Sequence, residues 1–190
     1  LGYLALSSPD LMTALESLRD YLPVRLSLVE LEVEVEAAWL NCTLRIRVPA
    51  NPDEGRILQE CFAMTIQAVA EAILGRDLDD ARIELAHEQP PYSAVYDNYL
   101  HSPVQFACER NVFRIPAGLA RVPNTSGDPD SYAMAQALCA KLLEQAPVAA
   151  LSTGDRVRRL LLSTTPGSVT ESEVARAMFV SKRTLARRLQ

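Results

Sequence analysis

The first half of the chain shows two hydrophobic periods in succession, one typical of a helix and one of a strand. Ser8, Pro9 and Asp10 form a helix start with a cap and a proline at the first position, and leucines then recur at helical spacing until Pro23 stops the pattern. The predicted buried stripe is Leu11, Leu15, Leu18 and Leu22. From about residue 24 the period changes to two, which predicts antiparallel strands with one solvated face. The solvated positions are Arg25, Ser27, Glu30, Glu32, Glu34 and Glu36 in the first run and Thr43, Arg45 and Arg47 in the second.

Residues 54–74 carry the longest helical period, and Gly75 closes it. The predicted buried stripe of this helix is Leu58, Cys61, Phe62, Thr65, Val69, Ala72 and Ile73. Residues 81–86 are predicted to form a short strand, and residues 104–108 and 112–115 to form another strand pair. After a loop, Asp128 caps a helix that Pro147 ends, with Met134, Leu138 and Leu142 facing inward. These elements predict an α+β body with an antiparallel or mixed sheet flanked by helices.

The C-terminal residues predict two short capped helices. Thr170 and Glu173 have the spacing of a capping box, and Val169 and Val174 that of a hydrophobic staple. Ser181 caps the second helix, in which two leucines four residues apart face one side. These leucines are Leu185 and Leu189, and Lys182, Arg183, Arg187 and Arg188 fall mostly on the rest of the surface. A buried apolar stripe with a basic outer face suits the DNA major groove, although two capped helices also occur in many other helical domains.

The stretch EVARAMFVSKRTLARRL resembles the first helix-turn-helix of AraC-type transcription regulators. The resemblance rests on residue types and spacing: Val174-Ala175, Met178-Phe179-Val180, Ser181, Arg183-Thr184-Leu185 and Arg187-Arg188-Leu189. It implies that the second helix contacts promoter DNA. The implied contact residues are Ser181, Lys182, Arg183, Thr184, Arg187 and Arg188, with Arg158 holding the DNA backbone from a helix over residues 155–163. Family members carry two such units, so we expect this DNA-binding domain to be truncated.

The N-terminal part resembles the sensor domain of the arabinose-binding-like branch of the same family. The matching residues are the stretch LGYLALSSPDLMTAL, Pro91-Tyr92, Tyr96, Pro103-Val104-Gln105-Phe106 and Asn111. The resemblance implies a small-molecule effector of unidentified chemistry. We therefore expect a sensing and dimerisation domain over residues 1–146, incomplete at its N-terminus, a linker over residues 147–154, and a DNA-binding segment over residues 155–190.

The charge is divided between these two parts. The whole chain has a formal net charge of −5, yet the residues from Asp155 onward carry eight basic and three acidic side chains. A basic tail on an acidic body favours nucleic-acid contact by the tail alone.

The chain has no basic signal-peptide start and no run of 18 apolar residues, so we expect a cytoplasmic protein without a membrane span. The four cysteines, Cys42, Cys61, Cys108 and Cys139, lack metal-site spacing and are predicted to be buried thiols.

The candidate ligand-binding residues are Tyr92, Tyr96, Tyr99 and His87. The tyrosines recur at helical spacing, so they either line a ligand pocket with their hydroxyl groups as polar handles or pack as a helix face on the sheet. His87 lies beside Glu88, which would suit general-base chemistry, but a structural role at a strand end is the simpler alternative. The glutamate row at positions 30–36 either binds a cation or pairs with Arg45 and Arg47.

The sequence carries no G-x-S-x-G motif, no thiol-enzyme signature and no glycine-rich phosphate loop. We therefore expect a protein that is not an enzyme and that uses no cofactor and no metal. The preferred hypothesis is a transcription regulator, either an activator or a repressor, that binds promoter DNA and a small-molecule effector as a homodimer. The alternative is a body that acts as a ligand-free module for dimerisation or for contact with RNA polymerase.

Overall fold

The computed structural model describes residues 1–24, 26, 29–47, 51–145, 154, 157, 170–178 and 180–189. The chain forms two compact units, Leu1–Leu143 and Glu144–Gln190. We call the first unit the body and the second the C-terminal unit.

The body begins with two helices, α1 (Gly2–Leu6) and α2 (Leu11–Tyr21), followed by a 3-10 turn at Leu22–Val24. Helix α1 was not predicted. Asp10 is the N-cap of α2, because its side chain accepts a hydrogen bond from the backbone N–H of Thr13 at 2.7 Å. The predicted start with Pro9 inside the helix was therefore two residues too early. Leu11, Leu15 and Leu18 are buried as the helical period predicted.

The period-two segments form strands β1 (Val29–Glu36) and β2 (Trp39–Ile46), which pair antiparallel across a turn at Ala37 and Ala38. The inner face carries Val29, Leu31, Val33, Leu40, Cys42 and Leu44, all buried. On the outer face Arg45 Nε lies 2.9 Å from Glu32 Oε1, and Arg47 Nη2 lies 3.0 Å from Glu30 Oε1. Cross-strand ion pairing, rather than a cation site, therefore accounts for the first two glutamates of the row.

Helix α3 (Pro52–Leu74) is the longest element and lies against the inner face of the sheet. Asn51 and Glu54 form a capping box at its start, and Gly75 ends it with a φ of 67°, a conformation that favours glycine. Phe62, Val69 and Ile73 are buried as predicted, but Cys61, Thr65 and Ala72 are exposed. The buried face is rotated toward Gln59, Ala63, Ile66, Gln67 and Ala70. Among the described residues, α3 alone is long and apolar enough to cross a membrane by length and composition, and its burial is that of a core helix.

Three further strands complete a five-stranded sheet in the order β1-β2-β5-β3-β4. They are β3 (Arg82–Glu84), β4 (Val104–Gln105) and β5 (Asn111–Pro116). β5 pairs antiparallel with β2 and β3, whereas β4 pairs parallel with β3. The predicted pairing between residues 104–108 and 112–115 is therefore wrong, because β5 inserts between β2 and β3. The predicted mixed sheet flanked by helices is confirmed for the body.

The body ends with helix α4 (Pro129–Gln145), which Asp128 caps by accepting a hydrogen bond from the N–H of Ser131 at 2.6 Å. Its buried residues are Ala135 and Cys139, which pack with Leu4 of α1. The three residues predicted to face inward are exposed instead: Met134 by 66%, Leu138 by 58% and Leu142 by 42%. The prediction chose the larger apolar residues, but the small ones fit against α1, so α4 presents an apolar stripe to its outer side.

The C-terminal unit contains two short helices, α5 (Glu171–Ala177) and α6 (Lys182–Leu189). Thr170 and Glu173 form the predicted capping box, with Glu173 Oε2 accepting from the N–H of Thr170 at 2.7 Å. Val174, Ala175, Met178 and Leu185 form a small core, against which Val157 and Val180 pack. Leu189, predicted to share the buried face of Leu185, is 49% exposed. The predicted staple residue Val169, the turn residue Phe179 and most of the predicted linker and of the helix at 155–163 lie outside the described residues.

Candidate functional site

The predicted tyrosines lie on and beside a six-residue 3-10 helix, Ser93–Asn98, which crosses the first half of α3. Glu60 of α3 joins two of them through one oxygen. Its Oε1 accepts hydrogen bonds from the hydroxyl groups of Tyr92, at 2.8 Å, and Tyr96, at 2.6 Å. Tyr96 is buried, whereas Tyr92 and Tyr99 are 42% and 59% exposed.

These contacts keep both hydroxyl groups protonated. The hydrogen bond to Glu60, partial desolvation and the negative charge of Glu60 raise the pKa of Tyr92. Burial, followed by the hydrogen bond to Glu60, raises the pKa of Tyr96 well above its ordinary value. Both tyrosines therefore act as hydrogen-bond donors to a carboxylate at neutral pH.

A cavity of about 170 Å³ opens beside this group. It is lined by Glu60, Met64, Tyr92, Val95, Tyr96, Tyr99 and Leu100. The three predicted tyrosines thus share one cavity, as a ligand pocket requires, while Tyr96 also packs into the core.

Arg56 lies one helical turn before Glu60 and contacts Tyr92, which lines the cavity. Its guanidinium carbon is 5.7 Å from the centre of the Tyr92 ring, within cation–π range. Its closest ionic partner is Asp53, at 2.8 Å, whereas its Nε lies 3.9 Å from Glu60 Oε1. This Nε is buried and makes no hydrogen bond, so the 3.9 Å contact with Glu60 is ionic only.

His87, the fourth predicted ligand-binding residue, does not line the tyrosine cavity. Its ring packs on Phe106 at 5.6 Å between centroids, and Phe106 packs on Tyr96 at 5.4 Å. Its Nδ1 lies 2.8 Å from the carbonyl oxygen of Glu88, and its buried Nε2 has no hydrogen-bond partner. His87 therefore connects to the site only through an aromatic row.

Gln67 fixes the segment that follows the tyrosines. Its Nε2 donates to the carbonyl oxygen of Tyr99 and its Oε1 accepts from the N–H of His101, both at 2.8 Å. Because Gln67 is buried on α3, these bonds hold residues 99–101 at a constant distance from the helix.

The second histidine lies near two carboxylates. His101 Nδ1 is 2.6 Å from Glu71 Oε1 and 3.8 Å from Asp77 Oδ1. The hydrogen bond to Glu71 raises the pKa of His101. These three side chains are close enough together to offer ligand atoms to one metal ion. The sequence did not reveal this group, because the fold brings the two carboxylates to the histidine from a distant segment. The expectation that the protein uses no metal stays a prediction.

A second cavity, of about 130 Å³, lies between α2, the β1-β2 hairpin and α3, and its walls are almost wholly apolar. Leu58, Cys61 and Thr65 line this cavity, which explains why their pattern on α3 was mistaken for a stripe buried in the core.

Of the four cysteines, Cys42 and Cys139 are buried as predicted, whereas Cys61 is exposed and Cys108 half-buried. Burial raises the pKa of Cys42 to about 12.

The predicted DNA-binding residues lie at the start and along the exposed side of α6. Ser181 is the helix cap, because its Oγ accepts from the N–H of Thr184 at 3.1 Å and lies 2.9 Å from Thr184 Oγ1. Lys182, Arg183 and Arg187 are exposed, and helical geometry places Arg183 and Arg187 on the side opposite the buried Leu185. The side chain of Arg188 and the whole of Arg158 lie outside the described residues.

Sequence reasoning missed Glu60 and Gln67, the two α3 residues that organise the site. Each is separated from its tyrosine partner by more than thirty positions in the sequence. The one available signal in the sequence was a glutamine within the predicted long helix. A glutamine that is buried there needs polar partners from another segment.

The family described as the arabinose-binding domain of AraC transcription regulators, N-terminal, matches residues 1–124. No curated protein sequence matches the chain. The crystal structure of the transcriptional regulator CdpR from Pseudomonas aeruginosa is similar to this chain, with 18% sequence identity and a TM-score of 0.48. That similarity covers 98% of this chain and 61% of the CdpR chain, so this chain spans less than two thirds of that regulator's length. The family match extends over most of the body, and the chain therefore belongs to the AraC family of transcription regulators.

Proposed function

We propose that the protein is a cytoplasmic, DNA-binding transcription regulator whose body binds a small-molecule effector. In this proposal residues 1–146 sense the effector and dimerise, residues 147–154 connect the parts, and residues 155–190 contact promoter DNA. The observation that carries it is the exposed basic side of α6 in a chain of this family. An enzymatic activity has no place in the proposal, because the family is one of transcription regulators.

The DNA-binding part of the proposal follows from the burial pattern of α6. Leu185 packs into the small core with Val174 and Met178, so the opposite side, with Arg183 and Arg187, faces outward, and Lys182 is exposed at the helix start. A short helix held in this way and carrying three exposed cations suits the major groove, where such side chains contact base edges and phosphates. Arg188 and Arg158 are proposed to add phosphate contacts. Ser181 and Thr184 hold the helix start that is proposed to face the DNA backbone.

An Arg187→Ala substitution in the complete protein tests this assignment. We expect weaker binding to a DNA fragment carrying the promoter region next to its gene, and a slope of log K against log salt concentration reduced by about 0.9. The matched control is Arg19→Ala, because Arg19 pairs with Asp20 in the body and is not proposed to contact DNA. Unchanged slope and affinity for Arg187→Ala would remove this residue from the interface.

The tyrosine cavity is the proposed effector site. It combines concave apolar walls with a few converging polar groups, which is the usual composition of a small-molecule pocket. Tyr92, Tyr96 and Tyr99 are proposed to contact the effector directly. His87 is proposed to act on it through Phe106 and Tyr96.

Helix α4 is the proposed homodimer contact. Its exposed Met134, Leu138 and Leu142 form one stripe, and a second copy of the same stripe would bury all three residues across a two-fold axis. The same exposed stripe also favours the alternative function, in which the body is a ligand-free module for dimerisation or for contact with RNA polymerase.

A further inference from the structure

The chemistry of the tyrosine cavity points to the charge of its ligand. Among the described residues that line the cavity, Glu60 is the only charged one, and the others are three tyrosines, Met64, Val95 and Leu100. Apolar and aromatic walls with a single acidic group favour a ligand that is positively charged at one position and apolar elsewhere.

The carboxylate of Glu60 is not neutralised by its hydrogen-bond donors. Its hydrogen-bond donors, Tyr92 and Tyr96, are neutral hydroxyl groups. The nearest cation, Arg56, lies 3.9 Å from Glu60 Oε1 but 2.8 Å from Asp53 Oδ1, so Asp53 is its closer partner. The group of Asp53, Arg56 and Glu60 therefore has a formal net charge of −1, which one ligand cation would neutralise.

The aromatic rings add to this preference. A phenol whose hydroxyl group donates a hydrogen bond to a carboxylate has a more electron-rich ring, and such a ring attracts a cation more strongly through its face. The cluster already contains one such contact, because the Arg56 guanidinium lies over the Tyr92 ring. Tyr99 is 59% exposed and lines the same cavity.

We propose that the tyrosine cavity binds a compact organic cation, with an ammonium nitrogen over the rings of Tyr96 and Tyr99 and beside Glu60. This inference rests on the proposed function of the body as an effector-binding domain and names the class of effector. A cavity of about 170 Å³ limits the ligand to a small body, such as a quaternary ammonium group or a short amine.

Isothermal titration of the 190-residue chain with matched probes tests the proposal. The cations are choline, tetramethylammonium, putrescine, tyramine and agmatine. The neutral isostere of choline is 3,3-dimethyl-1-butanol, which has the same shape with carbon in place of the charged nitrogen. We expect at least one cation to bind, and choline to bind at least about tenfold more tightly than its isostere.

Two variants locate the binding. Glu60→Gln removes the charge and Tyr99→Leu removes one ring, and each is expected to weaken cation binding at least about tenfold. Tyr3→Leu is the matched control for Tyr99→Leu, because Tyr3 is 58% exposed and bonds to Ser131 away from the cavity. Glu34→Gln, on the exposed part of β1, is the control for the charge. Thermal denaturation of each variant verifies folding, which the high exposure of Tyr99 favours.

Three results would overturn the proposal. The first is that none of the five cations binds at 10 mM, about the weakest affinity that the titration resolves. The second is that the neutral isostere binds as tightly as choline or more tightly. The third is that Glu60→Gln and Tyr99→Leu both leave cation binding unchanged. Binding of the isostere that depends on Tyr99 would still support effector sensing, because only the class of effector would be wrong. The salt dependence of DNA binding tests the regulator function separately, and Glu60→Gln is expected to leave it unchanged.

Discussion

Asp10 connects two distant segments of the body through a single carboxylate. One oxygen accepts from the N–H of Thr13 at 2.7 Å and caps α2, and the other lies 3.0 Å from Arg121 Nη1. Partial burial by itself raises the pKa of Asp10, but the hydrogen bonds from Thr13 and the interaction with Arg121 more than offset it, so the pKa lies below its ordinary value. A carboxyl group with a lowered pKa stabilises the fold at neutral pH and loses that contribution in acid.

We expect Asp10→Ala to lower the free energy of unfolding at neutral pH by about 1 kcal/mol, because the α2 cap is lost. The stabilising effect of Asp10 is present above about pH 4, where the unfolded carboxyl group is ionised, and disappears as the pH falls through the lower pKa of the folded state. Urea denaturation of wild type and variant between pH 2 and pH 7 should therefore give curves that converge in acid. Asp130→Ala, in the first turn of α4, is the control. A difference that stays constant over this range would contradict the prediction.

At the scale of the element, α4 shows how a helix can satisfy the fold with its smaller apolar residues. Ala135 and Cys139 allow close approach to Leu4 of α1, which leaves the large residues one position earlier on the helix facing outward. This apolar stripe is the surface on which we propose that a second copy binds.

We expect Leu138→Glu to weaken self-association of the 190-residue chain at least about tenfold, because burying one leucine contributes about 1.5–3 kcal/mol and a buried glutamate would be uncompensated. Analytical ultracentrifugation over a concentration series measures the change. Gln136→Glu introduces the same charge at another exposed position of α4 and serves as the control. Equal association of both variants would exclude this stripe as the dimer contact.

At the scale of the whole molecule, the two units have separate hydrophobic cores. The body is held by clusters that involve α1 to α4 and the sheet, and the C-terminal unit by Val174, Ala175, Met178 and Leu185. Units with their own cores can unfold in separate transitions.

We expect a fragment of residues 1–145 to unfold cooperatively, with a melting temperature within about 4 °C of the body transition in the longer chain, a shift equivalent to less than about 1 kcal/mol. Leu185→Ala in the longer chain should destabilise the C-terminal unit by about 2–5 kcal/mol and leave the body transition unchanged. Differential scanning calorimetry measures both transitions. Non-cooperative unfolding of the fragment would show that the body needs residues beyond 145.

Much of the fold could be predicted from local patterns. The glutamates alternate with leucine and valine in β1, so the face on which each residue lies follows from period two, and the capping box at Thr170 follows from residue spacing. The parallel pairing of β3 with β4 could not be predicted, because it depends on where a distant strand inserts. The face of α4 that is buried depends on the shape of α1, against which it packs. The sequence of α4 contains two neighbouring apolar stripes, one of small and one of large residues, and does not say which of them faces the body.

The candidate site could be predicted only in part, for a similar reason. Helical spacing grouped the tyrosines, but spacing carries no information on Glu60, which belongs to another element. His87 lies only five positions before Tyr92, yet it does not line the cavity. The ring of Phe106 packs between His87 and Tyr96 and separates the histidine from the tyrosines. Proximity in sequence was therefore a poor guide to proximity in space here.

The acidic row on β1 has a consequence for solubility. β1 is an edge strand of the described sheet, and an edge strand offers its backbone groups for pairing with a strand from another molecule. Glu34 and Glu36 are exposed near one end of this edge, and a second copy aligned against it would bring like charges together. The opposite edge, β4, offers only two residues for pairing. Both edges of the sheet thus discourage fibre-like growth. The proposed two-fold contact through α4 therefore does not have to compete with aggregation through the sheet.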